Sequence, residues 1–395
     1  MARIATSTKP PLDPGGFRHN HQEHSGGFRH NHQARSDPAA PAGSVRSGGW
    51  RARWPTWVPY AAALWSFGIA GMALVWVLTG SGYPLGANAS TGTDSAFDTI
   101  ASEAGSWGFL LGSAAAGVLS LIAARGWSLG RWNSIGVAVL GVLGVVLLVL
   151  VPDSQLLVLL GYSPIFLVGA PFGWPPVSYV DQLTWTVGFQ ALSVMGGLLL
   201  VATALAWRRR ARNACRSCGR AAAAPGWTTP KAAAAWGRWA ALVAVVVPAM
   251  YAINRLAWVA GIPLGISQEF LDEMWSSGLV WAALGLGTFA ALGAVLTLGL
   301  VQRWGEVFPR WMVGLAGKRV PPLLAEIPAA LVAILVTSAS VPLVIGVGEM
   351  GDVQDGLGWI QTLLMGAFPV WGLALGAATL AYHLRRRGDC QSCQA

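Results

Sequence analysis

Residues 183–207 read LTWTVGFQALSVMGGLLLVATALAW and are followed directly by Arg208-Arg209-Arg210. A long uncharged run closed by three arginines predicts a helix that crosses a bilayer and stops at its polar face. A hydrocarbon core about 30 Å thick needs about 20 apolar residues at about 1.5 Å each. Seven other stretches meet the same requirement: 57–79, 106–124, 134–151, 239–260, 278–301, 323–347 and 359–383. A ninth apolar stretch, 156–176, carries Gly161, Pro164, Gly169, Pro171, Gly173 and a Pro-Pro pair. Glycine and proline at that density break helices, so it reads as an interfacial or re-entrant segment, with a short broken span as the alternative.

Composition agrees. Of 395 residues, 54% are hydrophobic and only 11% are charged, against about 25% charged in soluble domains. A water-soluble enzyme is excluded. The net charge of +9 would suggest an anionic partner if it lay on one soluble face, but it is distributed by loop. Of the 26 Lys and Arg, 25 fall in the N-terminal tail, the C-terminal tail and alternate loops on the same side. The opposite loops carry Asp94, Asp98, Glu103, Asp153, Asp181, Glu269, Asp272, Glu273, Glu349, Asp352 and Asp355. Lys/Arg-rich loops stay in the cytoplasm. The charge pattern therefore predicts a multi-pass protein of the cell membrane with both termini inside, and nucleic acid is excluded as a partner.

Residues 1–53 lack any apolar run and repeat GGFRHNHQ at 15–22 and 26–33. Such a tail reads as disordered and cytoplasmic, without a signal-peptide core. Its H-x-H pairs, His19/His21 and His30/His32, are weak metal candidates because nothing encloses them.

The membrane region divides into 54–207 and 239–384, joined by a basic linker, 208–238, with a short tail at 385–395. The two parts resemble each other. Trp57 and Trp76 are as far apart as Trp239 and Trp258, and Tyr83-Pro84-Leu85-Gly86 parallels Ile262-Pro263-Leu264-Gly265. Ala202-Thr203-Ala204-Leu205-Ala206-Trp207 before arginines parallels Ala378-Thr379-Leu380-Ala381-Tyr382 before arginines. Four spans per copy give both copies the same orientation. The expectation is an all-α integral membrane fold of about eight transmembrane helices in two parallel four-helix repeats.

All four cysteines lie in two C-x-x-C pairs, Cys215/Cys218 and Cys390/Cys393, each just beyond an equivalent helix on the basic side. Reducing cytoplasm disfavours structural disulfides there. Two such pairs match the four-cysteine zinc pattern, and Gly219 suits a knuckle turn close to the sulfurs. Four spans separate the pairs, so a zinc site needs a fold that brings the two repeat ends together. Incidental thiols and a redox dithiol are the alternatives.

Arg255 is the one basic residue outside the basic set. It follows Asn254 near the outer end of the fifth span. Charge inside a span marks a functional candidate; snorkelling, or an ion pair with Glu269, Asp272 or Glu273, is the structural explanation. Glu326 and Gln190 are the other intramembrane polar candidates. Gly108/Gly112 and Gly372/Gly376 predict close helix contacts. Many of the 21 tryptophans sit at span ends, as interfacial indoles do. No Walker A loop, H-E-x-x-H, G-x-S-x-G or dinucleotide fingerprint occurs, which argues against an enzyme.

The stretches 251–258 through 263–265, and 208–220 with its C-x-x-C-G, resemble uncharacterised multi-pass membrane proteins of GC-rich actinobacteria. The resemblance extends over about residues 54 to 393, implies membrane class and lineage, and carries no activity. Two function classes follow, the first the favoured reading and the second its alternative. One is a permease-like carrier with a path between the halves, faced by Arg255, Asn254, Gln190 and Glu326. The other is a non-transporting scaffold or sensor with a four-cysteine cytoplasmic clasp. Membrane lipids are partners in either case, alongside an unidentified small molecule or protein.

Overall fold

The computed structural model describes residues 53–86, 96, 97, 100–169, 171, 180–215, 218–220, 226–346 and 359–387. Expectations for the tail 1–52 with its H-x-H pairs, and for Cys390 and Cys393, fall outside the described residues. Within them the fold is all-α. Eight helices are long and apolar enough to cross a membrane, and no strand forms beyond one isolated bridge between Val307 and Arg319.

In chain order the helices are α1 (Trp54–Thr79), α2 (Ser102–Arg125), α3 (Asn133–Val149), α4 (Ser154–Gly169), α5 (Trp185–Ala211) and α6 (Pro230–Val259). There follow α7 (Gln268–Ser276), α8 (Val280–Gly299), α9 (Pro322–Gly346), α10 (Trp359–Gly366) and α11 (Phe368–Arg386). Their ends follow local chemistry. Thr184, Thr229 and Ser267 cap α5, α6 and α7 by accepting from the backbone N–H three residues on, satisfying one orphan donor each. α2 ends at Gly126, whose left-handed φ of 72° lets its N–H return to Ala123 and Ile122, a glycine C-cap.

Two departures from the sequence reading have clear causes. The predicted span 359–383 is divided at Ala367, because Pro369 at the start of α11 removes a donor from any continuous helix. The stretch 156–176, expected to break, begins instead with the 16-residue helix α4. Asp153 Oδ1 accepts from the Gln155 N–H at 2.8 Å and starts it. At about 24 Å long, α4 is too short to be a ninth span; residues 170 and 172–179 lie outside the described set.

Packing is organised by halves. α1 lies on α2 and α5, and α5 on α3; correspondingly α6 lies on α8 and α11, and α11 on α9. One hydrophobic cluster, from Ala62 and Trp65 to Leu200 and Trp207, belongs to α1–α5. A separate one, from Ala241 to Tyr382, belongs to α6–α11. α9 lies against α3 and α4 and joins the halves. Helices α9 and α11 touch closely where a Cβ on Gly372 would meet the Thr337 backbone N at 2.8 Å, so the close contact expected at Gly372 is present. At Gly108 it is not: nothing lies within 4 Å of where its Cβ would stand.

Candidate functional site

The basic end gathers the most chemistry. Beyond the end of α5, Cys215 N–H donates to the Arg220 carbonyl at 2.9 Å and Gly219 N–H to the Cys215 carbonyl at 2.8 Å. These two bonds fold Gly219 and Arg220 back onto Cys215 in a turn. Gly219 has φ of 72°, and a Cβ there would lie 2.8 Å from Arg209 Nε. Both its backbone angle and its contact require glycine. Arg209 in turn stacks its guanidinium 4.8 Å from the Trp54 ring centroid.

The end of α11 arrives at this turn. Arg387 Nη1 donates to the Cys218 carbonyl at 3.4 Å, and Arg220 Nη2 donates to the Arg387 carbonyl at 3.3 Å. Burial pushes the Arg387 guanidinium below its ordinary value; the positive charges of Arg209 and Arg220 push the same way, and Cys218 opposes them. Arg209 Nη1 and Arg387 Nε are buried without an acceptor among the described residues. Three guanidiniums and two thiols thus converge where the two halves end. Among the described residues no group of three or more metal-ligating side chains forms; this turn supplies two cysteines.

At the acidic end, Asp153 departs from the sequence reading. Its place among the acids of the outer loops predicts exposure, but it is 2% exposed. Gln190, 1% exposed, donates from Nε2 to Asp153 Oδ2 at 2.8 Å, and Ser338 of α9 donates to the Pro152 carbonyl. Gln190 Oε1 and the Ser193 hydroxyl one turn along are buried without partners. A buried polar group of Asp153, Gln190, Ser193 and Ser338 therefore lies where α9 meets the first half. No feature of the sequence separated Asp153 from its exposed neighbours.

Arg255 does not form the expected ion pair. No carboxylate of the described residues pairs with it, and Asp272 accepts from Gln268 instead at 2.9 Å. Its guanidinium lies 4.7 Å from the Tyr251 ring centroid and 4.0 Å from that of Trp258, a cation–π sandwich within one helix. Tyr162 of α4 is an electrostatic neighbour of both Arg255 and Tyr251. Asn254 is an anchor: its Nδ2 donates to the Leu264 carbonyl at 2.8 Å, alongside Trp258 Nε1 at 2.9 Å. Glu326 acquires a partner that lies far away in sequence, His383 Nδ1 at 3.1 Å from Oε2. Arg255, Gln190 and Glu326 belong to separate places, and none of them lines the cavity between α1, α2, α3 and α5.

No protein-family model, curated protein or solved structure matches this chain.

Proposed function

We propose that this multi-pass membrane protein is a non-transporting scaffold or sensor whose basic, cytoplasmic end is closed by a four-cysteine zinc clasp. The observation that carries this reading is the contact of Arg387 with Cys218. Cys390 follows Arg387 by three residues, a reach of about 11 Å at most, so chain length alone permits the second C-x-x-C pair to meet the first. A zinc ion with four thiolates carries two negative charges. That centre would supply counter-charge beside Arg209, Arg220 and Arg387, and acceptors for the buried N–H groups of Arg209 and Arg387.

Two further elements belong to the same reading. The matching order of helix pairs in the two halves supports a duplicated four-helix unit. The basic end faces the cytoplasm of a cell membrane by the positive-inside rule. Arg255, held between two aromatic rings rather than facing a cavity, weighs against a carrier. The buried Asp153–Gln190 pair at the seam is the observation that favours a permease-like carrier as second reading.

Metal analysis of the full chain purified without added metal tests the clasp. One zinc per chain is expected, lost in both Cys218→Ser and Cys390→Ser. Zinc absent from the wild type, or retained in either variant, overturns it. A membrane-impermeant maleimide should reach the cysteines of the zinc-stripped protein only after cells are permeabilised.

A further inference from the structure

The acidic end keeps a carboxylate out of water. Asp153 is 2% exposed, and its two oxygens accept from the Gln155 N–H and from Gln190 Nε2, each at 2.8 Å. The surplus nearby is in oxygen. Gln155 Oε1, Gln190 Oε1 and the Ser193 hydroxyl are all buried with no hydrogen-bond partner. Gln190 and Ser193 are 1% and 0% exposed. They stand three residues apart on α5 and so share the face that carries the amide to Asp153. Further along the same two helices, α3 and α5 close tightly: a Cβ on Gly197 would lie 2.8 Å from the Gly144 carbonyl oxygen. From α9, Ser338 donates to the Pro152 carbonyl next to Asp153.

Buried oxygens without donors cost free energy, and a buried carboxylate costs more unless positive charge lies near it. The chain has little positive charge to set against this one. Of the 26 Lys and Arg, 25 lie in the tails and loops of the basic end, and Arg255 is held between Tyr251 and Trp258. The Gln190 amide has two settings. As it stands, its NH2 group faces Asp153 and its oxygen is orphaned. Turned over, Oε1 takes the place of Nε2, 2.8 Å from Asp153 Oδ2. Two oxygens at that separation repel unless a cation lies against both.

We propose that Asp153, Gln190 and Ser193 bind one sodium ion, held by the Asp153 carboxylate, by Gln190 Oε1 in its turned setting and by the Ser193 hydroxyl oxygen. Hard cations take oxygen ligands, and these three residues offer no imidazole or thiolate to a transition metal. One carboxylate balances one positive charge, whereas calcium sites gather several carboxylates. Side chains at 0–2% exposure leave space only for a small ion stripped of its water, which favours sodium over potassium. The acids of the acidic-end loops concentrate cations on that side. Because Ser338 ties the neighbouring Pro152 to α9, an occupied site strengthens the joint between the halves. A buried water would satisfy the same oxygens but balance no charge. The site stands apart from the cysteine clasp.

The test measures binding of radioactive sodium to the purified full chain in detergent, together with thermal melting in sodium, potassium or choline chloride at one ionic strength. Saturable binding of one sodium per chain is expected, displaced by unlabelled sodium but not by an equal concentration of potassium. The melting temperature should rise with sodium to a plateau and stay unchanged in potassium or choline. Asp153→Asn keeps an oxygen and a hydrogen-bonding amide but removes the charge, and should abolish binding. Ser193→Ala removes one ligand oxygen and should weaken binding about fivefold, the size of one modest polar contact. In potassium chloride both variants should melt close to wild type, which shows that they fold. No saturable sodium binding by the wild type, or full binding by Asp153→Asn, overturns the site. Unchanged affinity in Ser193→Ala overturns the role of the hydroxyl, and displacement by equal potassium overturns the assignment to sodium.

Discussion

Arg210 and Arg385 make the same contact in the two halves of the protein. Each lies three residues beyond a buried aromatic, Trp207 or Tyr382. Arg210 donates to the Ala123 carbonyl near the end of α2 and to the Pro55 carbonyl at 3.1 Å. Arg385 donates to the Leu300 carbonyl at the end of α8, at 2.7 Å, and pairs with Glu306 at 3.0 Å. A cation at the C-terminal carbonyls of a neighbouring helix satisfies orphan acceptors and complements the negative end of its dipole. The basic residues at the ends of α5 and α11 therefore fasten neighbouring helices together.

Replacing either arginine with alanine should cost about 1.5–3 kcal/mol, the range for hydrogen bonds to charged groups. Lysine at the same place should recover only part, because a point charge cannot reproduce the planar fork. Thermal melting of the purified protein measures this. Full recovery by lysine would show that charge alone is used.

Asp153 has two tasks, starting α4 and accepting from Gln190. Asp153→Ala should destabilise by about 2–4 kcal/mol, combining a lost cap with an unsatisfied buried amide. Asp153→Asn keeps one acceptor oxygen for the Gln155 N–H, and its amide N–H can donate to Gln190 Oε1 once the Gln190 amide flips, so it should stay within about 1 kcal/mol of wild type. If asparagine proves as damaging as alanine, the negative charge itself is required at the seam.

Tyr83 gives the fold an alkaline limit. Its phenol rises from 10.0 to about 12 in the folded protein, so the neutral form is favoured by folding. Stability from this group is complete below pH 10 and is lost as pH rises through about 12. Near-ultraviolet titration should show a late phenolate step whose amplitude falls in Tyr83→Phe. An unchanged late step would place the raised phenol elsewhere.

The glycine pairs of α2 and α11 should respond in opposite ways to the same change. Gly372→Val drives a side chain into Thr337 and should cost about 1–3 kcal/mol. Gly108→Val enters open space and replaces a poor helix former, so its effect should be near zero or slightly stabilising. Comparable losses at both positions would contradict the packing described for α2.

The eight spans were legible because length and lack of charge suffice to define them, and the sorting of Arg and Lys needs no coordinates. The environment of Arg255 was half legible: Tyr251 and Trp258 stand at i−4 and i+3, spacings that bring side chains together on a helix, yet nearby acids drew attention away from the rings. Asp153 was opaque, since its burial depends on α9, which lies far along the chain. Gly108 and Gly372 look alike in sequence, because a small residue signals room for a neighbour without saying whether one fills it. His383 was invisible as a partner of Glu326 for the same reason that Arg387 was invisible beside Cys218: both contacts arise only when α11 packs.

Each half keeps its own apolar cluster, and α9 lays the second half on α3 and α4 of the first. The halves are thus comparable to two docked subunits of one complex that share a chain. The link from Arg220 to Gly226 sets the effective concentration of one half for the other. Cutting the chain there would convert an intramolecular seam into a bimolecular one, and co-expressed halves would associate according to their abundance in the membrane.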